Sequence, residues 1–453
     1  MGSRLSVKAK NTIKIALAND LDELRLSGCN IKSIPASEIK KWQNIRVLVL
    51  SENYIVRLPN KIDCLVSLEV LKIDSNELVG LPESLLDFKK LRILKLAYNK
   101  LTKLPGPLYR LGALERLNVF ANPLPSEYLS TLIRQLQPIT SLCSLNCGGV
   151  SLKSWPETLF EVQQLQELNI KRNQLTEIPD SISNLVNLKK LILSHNPIEV
   201  LPISVSKLNK LTRIECVECL FSDLHQYPFD QLKELRIVNF NSCKLTSFPF
   251  YLGYVTNLQV LDFGCNLITK LSHTIGYIGS SLKKLDVSQN QLTALPGELS
   301  MLDLNIDLDL QQNNLRSPFK ENAHSNPQLF EAIIRFCRAW GPNCTIEKDA
   351  FTTAVKNVPG VFLLTAFDYI NRPRISGGDI IEVSITETNP ENPEDKRPPI
   401  NRDSFLCAHT KDLKNGTYEI NYVFKKSGTF EVEITCDSMQ VRGSPFSIVV
   451  FDS

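Results

Sequence analysis

Cys216-x-x-Cys219 offers redox or zinc chemistry on its spacing alone, because paired cysteines at that interval exchange disulfides or hold half of a zinc site. Zinc needs further ligands. The five histidines, His195, His225, His273, His324 and His409, give neither H-E-x-x-H nor a zinc-finger spacing, and there is no Gly-rich phosphate loop. Asp262, Asp286 and Asp309 recur at an even interval and raise calcium binding. On successive strands they would stand in a row about 4.8 Å apart, not around a cage of oxygens. Arg236-Ile237-Val238-Asn239-Phe240 fits the R-x-V-x-F peptide that docks on a phosphatase. Met1-Gly2-Ser3-Arg4-Leu5-Ser6 fits the N-myristoylation pattern at Gly2. One acyl chain binds membranes only marginally, so Arg4, Lys8, Lys10 and Lys14 would be the second signal for peripheral membrane association. These residues make no catalytic constellation, and neither enzymatic activity nor a cofactor is expected.

The elements that would position them are repeats. Between Leu21 and Leu315 the pattern L-x-x-L-x-L-x-x-N-x-L occurs thirteen times, most clearly from Leu68, Leu91 and Leu188. A period of about 23 residues with this spacing marks a solenoid. The fourth and sixth positions of the motif point inward from a short strand, and the third, fifth and seventh point out. The ladder position falls at Cys29, Asn53, Asn76, Asn99, Asn122, Val150, Asn173, Asn196, Cys219, Cys243, Asn266, Asn290 and Asn313. Cys216 is also inward, so the cysteine pair reads as structural. Val238 and Phe240 are inward as well, and the phosphatase peptide is a false match. Most repeats continue into Leu-Pro or a relative of it, such as Leu58-Pro59 and Ile178-Pro179, suiting an irregular convex return. His225 and Ser272 replace the proline in the ninth and eleventh repeats. After the fifth, Pro125–Arg134 stretches the interval to 28 residues, and its apolar spacing predicts a convex helix. Helical caps are expected at Val7–Leu17 and from Ser325-Asn326-Pro327 to Trp340.

The L-x-x-L-P-x-x-I form resembles the intracellular, Ras-group class of leucine-rich repeat proteins. That resemblance implies scaffolding or small-GTPase regulation. Outward positions supply Arg25, Lys72, Lys95, Arg116, Lys171, Arg172, Lys190 and Arg213, and later Glu215, Glu218, Asp262, Asp286, Asp307 and Asp309. The concave face therefore changes sign near the ninth repeat. Tyr98 and Phe120, beside Asn118 and Asn146, are expected to be exposed contact residues. On this reading Phe120→Ala weakens partner binding without unfolding the solenoid.

From Thr345 the repeat ends and period-2 runs begin at Leu363–Asp368, Asp379–Thr386, Ser404–His409, Thr417–Phe424, Thr429–Cys436 and Phe446–Phe451. Short strands at this spacing predict an immunoglobulin-like sandwich. Gly416–Tyr422, Ser427–Val432 and above all Gly443-Ser444-Pro445-Phe446 resemble a filamin-type repeat, with Ala366-Phe367-Asp368 and Gly377-Gly378-Asp379 adding to the match. The resemblance implies a face formed by the third and fourth strands that accepts a partner's strand. Alternation puts Ile381, Val383 and Ile385 in the core and Ile380, Glu382 and Ser384 outside. The Pro- and charge-rich stretch 389–402 departs from the family pattern and is expected to overhang that groove.

The whole chain has 51 Lys/Arg and 48 Asp/Glu; residues 345–453 hold 12 and 16, leaving 39 and 32 before them. Neither part has the dense basic stripe of a nucleic-acid binder. No apolar run is long enough to span a bilayer, and a cytoplasmic location is expected. The expected organisation is an N-terminal cap helix (1–20), a thirteen-repeat α/β solenoid with a parallel concave sheet (21–319), a cap helix and linker (320–344), and an all-β immunoglobulin-like domain of filamin type (345–453). The expected function is that of an adaptor. The solenoid binds a folded signalling protein such as a small GTPase, and the filamin-type repeat binds cytoskeletal proteins or itself. The alternative is a regulatory subunit of an enzyme such as a phosphatase.

Overall fold

The computed structural model describes the chain except residues 1–4, 318, 337–340, 347–351, 368–372, 374–378, 390–391, 397–404, 414, 437–438 and 453. Packing divides it into two compact units. The first holds Met1–Thr269, Ile278–Gln291 and Ile306–Asn313; the second holds Lys270–Tyr277, Leu292–Asn305 and Asn314–Ser453.

The first unit contains one sheet of thirteen strands in chain order, from Glu23–Arg25 to Asp307–Asp309. Each has three residues and pairs in parallel with the next repeat, as in Arg116↔Ser144 and Leu117↔Leu145. In the first twelve strands the middle residue is buried, from Leu24 to Leu285, as period-2 alternation requires. Past each strand the ladder side chain ties two repeats together. Asn196, 1% exposed, accepts the Leu175 N–H at 3.1 Å and donates to the Ile170 and Leu193 carbonyls at 3.1 and 2.6 Å. Where cysteine stands instead, the thiol only donates: Cys219 to the Leu193 carbonyl at 3.7 Å and Cys243 to the Cys216 carbonyl at 3.1 Å.

One regularity the sequence pattern did not announce is the residue just before each ladder position. From Gly28 and Glu52 to Gln289 and Gln312 it has positive φ, between 51° and 61°. Left-handed backbone disfavours L-residues, most of all β-branched ones. None of these residues is β-branched.

The Leu-Pro prolines cap single 3-10 turns, such as Asn60–Cys64 after Pro59 and Asp180–Asn184 after Pro179. The long fifth interval forms the expected helix, Ser126–Leu136, burying Leu129, Leu132, Ile133 and Leu136. Its Tyr128 hydroxyl accepts the Leu104 N–H at 2.9 Å, and Gln135 accepts the Leu108 N–H at 3.1 Å. The N-terminal cap is helix Val7–Ala18, opened by Ser6, whose Oγ accepts the Ala9 N–H.

In the second unit helix Asn326–Phe336 packs on the turn Gly297–Met301, which places convex segments of the last repeats with the C-terminal region. The expected end of this helix at Trp340 lies outside the described residues. One sheet runs Thr345–Ile346, Gly360–Thr365, Thr417–Phe424, Phe405–Asp412, and the other Thr353–Val355, Phe446–Phe451, Gly428–Cys436, Ile381–Asn389, Asn392–Lys396. Phe362, Leu364, Ile420, Phe430, Val432 and Ile448 from both sheets share one core. The first expected strand, Leu363–Asp368, is shifted to Gly360–Thr365, and the short strands at 345 and 353 went unread because two or three residues show no periodicity. Tyr418, 1% exposed, closes the fold: its hydroxyl donates to Asp379 Oδ2 at 2.6 Å and accepts the Asp379 N–H at 2.9 Å.

Candidate functional site

The concave face is built from two outward positions of every strand and the turn that follows, held in register by the parallel ladder. The expected basic half is less uniform than its residue list. Glu167 sits among the cations: Lys190 Nζ lies 2.7 Å from Oε1, and Arg116 approaches Oε2 at 3.7 Å. Ser144 donates to the same carboxylate at 3.1 Å. Burial alone would raise the pKa of Glu167, but Lys190, Ser144 and Arg116 outweigh it and hold the group below its ordinary value. Arg213 pairs with Glu215 on its own strand, and His195 with Glu218 at 2.9 Å. Arg116, Lys190 and Arg213 are therefore compensated. Lys72, Lys95, Lys171 and Arg172 make no ion pair among the described residues.

Glu167 also sets an acid sensitivity. A carboxylate whose folded pKa lies below its unfolded one stabilises the fold fully above the unfolded value, near 4.5, and loses this as pH falls through the folded value. The pair is partly exposed, so the effect is small, less than about 1 kcal/mol. Glu167→Gln should flatten the stability–pH curve below pH ~4.5, measured as the urea midpoint. An unchanged slope would remove Glu167 from that role.

Phe120 departs from expectation. It is 5% exposed, with the Tyr98 ring edge-on at 5.2 Å and Lys171 Nζ 5.2 Å from its centroid. The neighbouring repeat carries Gly148 at this place, where a Cβ would meet the Phe120 Cδ2 at 2.8 Å. The ring folds over the glycine instead of reaching outward. Phe120 is a buttress, and Tyr98, 55% exposed, is the presented aromatic.

The strand's last position carries a further signal that went unread. Asn118, Asn146 and Asn169 each accept the N–H two residues on through Oδ1, and Asp262, Asp286 and Asp309 do the same. The aspartates thus first serve the turn. Asp262 is also met by Asn239 at 3.1 Å and Asn241 at 2.9 Å. Among the described residues no group of three His, Cys, Asp or Glu is placed to hold a metal. Cys216, Cys219 and Cys243 are buried free thiols. Burial pushes Cys216 well up and Cys243 up to about 12, which suits packing, not reactivity.

In the second unit Ile381 and Val383 pack on the core and Ile385 is buried, while Ile380, Glu382 and Ser384 are exposed, matching the alternation. The third and fourth strands do not pair with each other: Ile381–Asn389 pairs with Gly428–Cys436, and Phe405–Asp412 with Thr417–Phe424. They belong to two different sheets: Phe405–Asp412 is the edge of one, and Ile381–Asn389 is next to last in the other. On the free side of the third strand only Thr388 and Asn389 pair, with Asn392–Lys396, among the described residues. Part of the stretch expected as a loop is therefore a strand, and 390–391 and 397–402 lie outside the described residues, as does Gly2.

Comparison with known proteins matches these two architectures separately. Residues 18–162 fit the leucine-rich repeat region model and 140–198 the leucine rich repeat model; residues 332–447 fit the Filamin/ABP280 repeat. The matches support a leucine-rich repeat region followed by a C-terminal filamin-type repeat.

Among solved structures, a leucine-rich repeat protein of Leptospira interrogans is 28% identical with a TM-score of 0.58, covering 70% of this chain and 84% of that one. An internalin of Listeria monocytogenes, at 20% identity and a TM-score of 0.53 over 69% of this chain and 96% of its own, shares the fold. Curated relatives match only in part. The flagellar outer-arm dynein alpha chain of Chlamydomonas reinhardtii is 29% identical over 26% of this chain, and the E3 ubiquitin-protein ligase TRIM45 of Bos taurus 28% over 24%. The chain spans 2% and 17% of their lengths. Leucine-rich and filamin repeats together make a protein–protein interaction architecture. Among the described residues no helix is long and apolar enough to cross a membrane.

Proposed function

We propose that this chain is a non-enzymatic cytoplasmic adaptor of the Ras-group type. Its concave face binds a folded signalling protein, a small GTPase, and its filamin-type repeat couples that protein to the actin cytoskeleton or to a second copy of the chain. The observation that carries this reading is the presence of two unlike recognition surfaces on one chain. One is the exposed Tyr98 beside Lys72, Lys95 and Lys171; the other is the strand Ile381–Asn389, whose far edge is paired only at its end among the described residues. Exposed aromatics near cations dominate interface energies, and an open strand edge extends a sheet with a partner's backbone. Acylation of Gly2 would add a membrane contact; an N-terminal peptide without a C14 addition by mass spectrometry excludes it.

The test is capture by the full chain from extracts loaded with GDP or a non-hydrolysable GTP analogue. A small GTPase should be retained in one nucleotide state and lost with Tyr98→Ala. Ile380→Glu with Ser384→Arg should release cytoskeletal proteins and leave the GTPase bound. Equal or absent retention in both nucleotide states rejects the GTPase assignment.

A further inference from the structure

We infer that the concave face of the third to seventh repeats takes an acidic polypeptide segment, read by a row of hydrogen-bond donors whose switch to acceptors fixes where the acidic stretch must end. This deepens the adaptor reading and rests on it. The row is the last position of each strand, kept in line by the parallel register. It runs Lys72, Lys95, Asn118, Asn146, Asn169, passes the apolar Ile192, and continues as Glu215, Asn239 and then the aspartates.

The turn beneath needs only one acceptor oxygen at this position. Asn146 supplies it to the Gly148 N–H at 3.1 Å, and Asp286 supplies it to the Ser288 N–H at 3.0 Å. Asparagine and aspartate are thus equivalent for the backbone, and the choice between them is not made by the fold. What differs is the second atom. With Oδ1 committed to the turn, asparagine leaves an Nδ2 donor and aspartate an anionic oxygen. Among the described residues the Nδ2 groups of Asn118, Asn146 and Asn169 make no hydrogen bond. Asn239, farther along, spends its Nδ2 on Asp262 at 3.1 Å.

The early part of the row therefore offers only donors, two of them lysines without ion pairs, and Tyr98 stands beside it 55% exposed. Such a surface complements carboxylates, and charged acceptors make the stronger bonds. Four steps of about 4.8 Å make the row roughly 19 Å long, the reach of about six extended residues. Past Ile192 the carboxylates repel an acidic segment, so its placement along the sheet is fixed by like-charge exclusion.

The probe is a fluorescein-labelled hexaglutamate peptide, titrated against the full chain by anisotropy at low salt. Asn146→Asp keeps the turn acceptor, so its urea midpoint should match that of the parent protein while affinity falls about tenfold. Lys95→Glu, at a side chain without an ion pair, should do the same and serves if the first variant is unstable. Asp286→Asn should leave affinity within about twofold, since that end lies beyond the segment. No binding, an unchanged affinity in Asn146→Asp, or a loss in Asp286→Asn overturns the inference. If hexaglutamate binds as expected but no GTPase is captured, the GTPase assignment fails alone. If Tyr98-dependent capture succeeds and hexaglutamate does not bind, the donor row fails and the adaptor stands.

Discussion

Replacing Asn196 by alanine is expected to cost about 2–4 kcal/mol, the largest loss from any single polar substitution considered for the solenoid. Its carboxamide is 1% exposed and serves Leu175, Ile170 and Leu193. Truncation orphans the Leu175 N–H in a dry interior, at a cost of about 1–3 kcal/mol, and takes one of two donors from each of the Ile170 and Leu193 carbonyls, which keep Asn173 and the Cys219 thiol. Asn196→Cys should fall between, because a thiol donates to a carbonyl as Cys219 and Cys243 do but gives the Leu175 N–H only a weak acceptor. The order Asn, Cys, Ala in urea midpoint is the check. Hydrogen exchange should rise first around Ile170–Leu193, since each repeat leans only on its neighbours. Equal midpoints for Asn and Ala would mean that the ladder is dispensable.

Phe120→Ala should destabilise the protein by about 3–4 kcal/mol, the range for removing a buried phenyl ring. The ring is 5% exposed beneath Tyr98, and Gly148 has no side chain to fill the void. Tyr98→Ala should cost less than about 1 kcal/mol, because that side chain is already more than half in water. A binding defect in the first variant would therefore be inseparable from damage to the fold, and a defect in the second would not. Chemical denaturation of both, before any binding assay, decides it. A Phe120→Ala protein with the parental midpoint would return Phe120 to the partner surface.

The difference between these two aromatics shows what the sequence could convey. Inward positions, ladder residues, the convex helix and the alternation Ile380 to Ile385 follow from local period, and local period is visible in one chain. The fate of Phe120 depends on what occupies the same place one repeat later, and there the decisive residue is a glycine. Arg116 and Lys190 were read as bare cations because Glu167 is near them only across strands. Aligning the repeats as columns would have revealed both, along with the Asn/Asp column that ends each strand. The pairing of Asn392–Lys396 was not accessible this way, since a Pro-rich segment carries no strand signal.

Helix Ser126–Leu136 has a consequence for how such a molecule can be altered. It lengthens one repeat to 28 residues, yet Leu117 still pairs with Leu145 and the sheet keeps its pitch. Extra chain has been absorbed entirely on the back of the molecule. The two sides are therefore separately editable: foreign segments or reporter tags grafted after a ladder residue need not disturb the spacing at which the front meets its ligand. A single residue added inside a strand would displace every column at once.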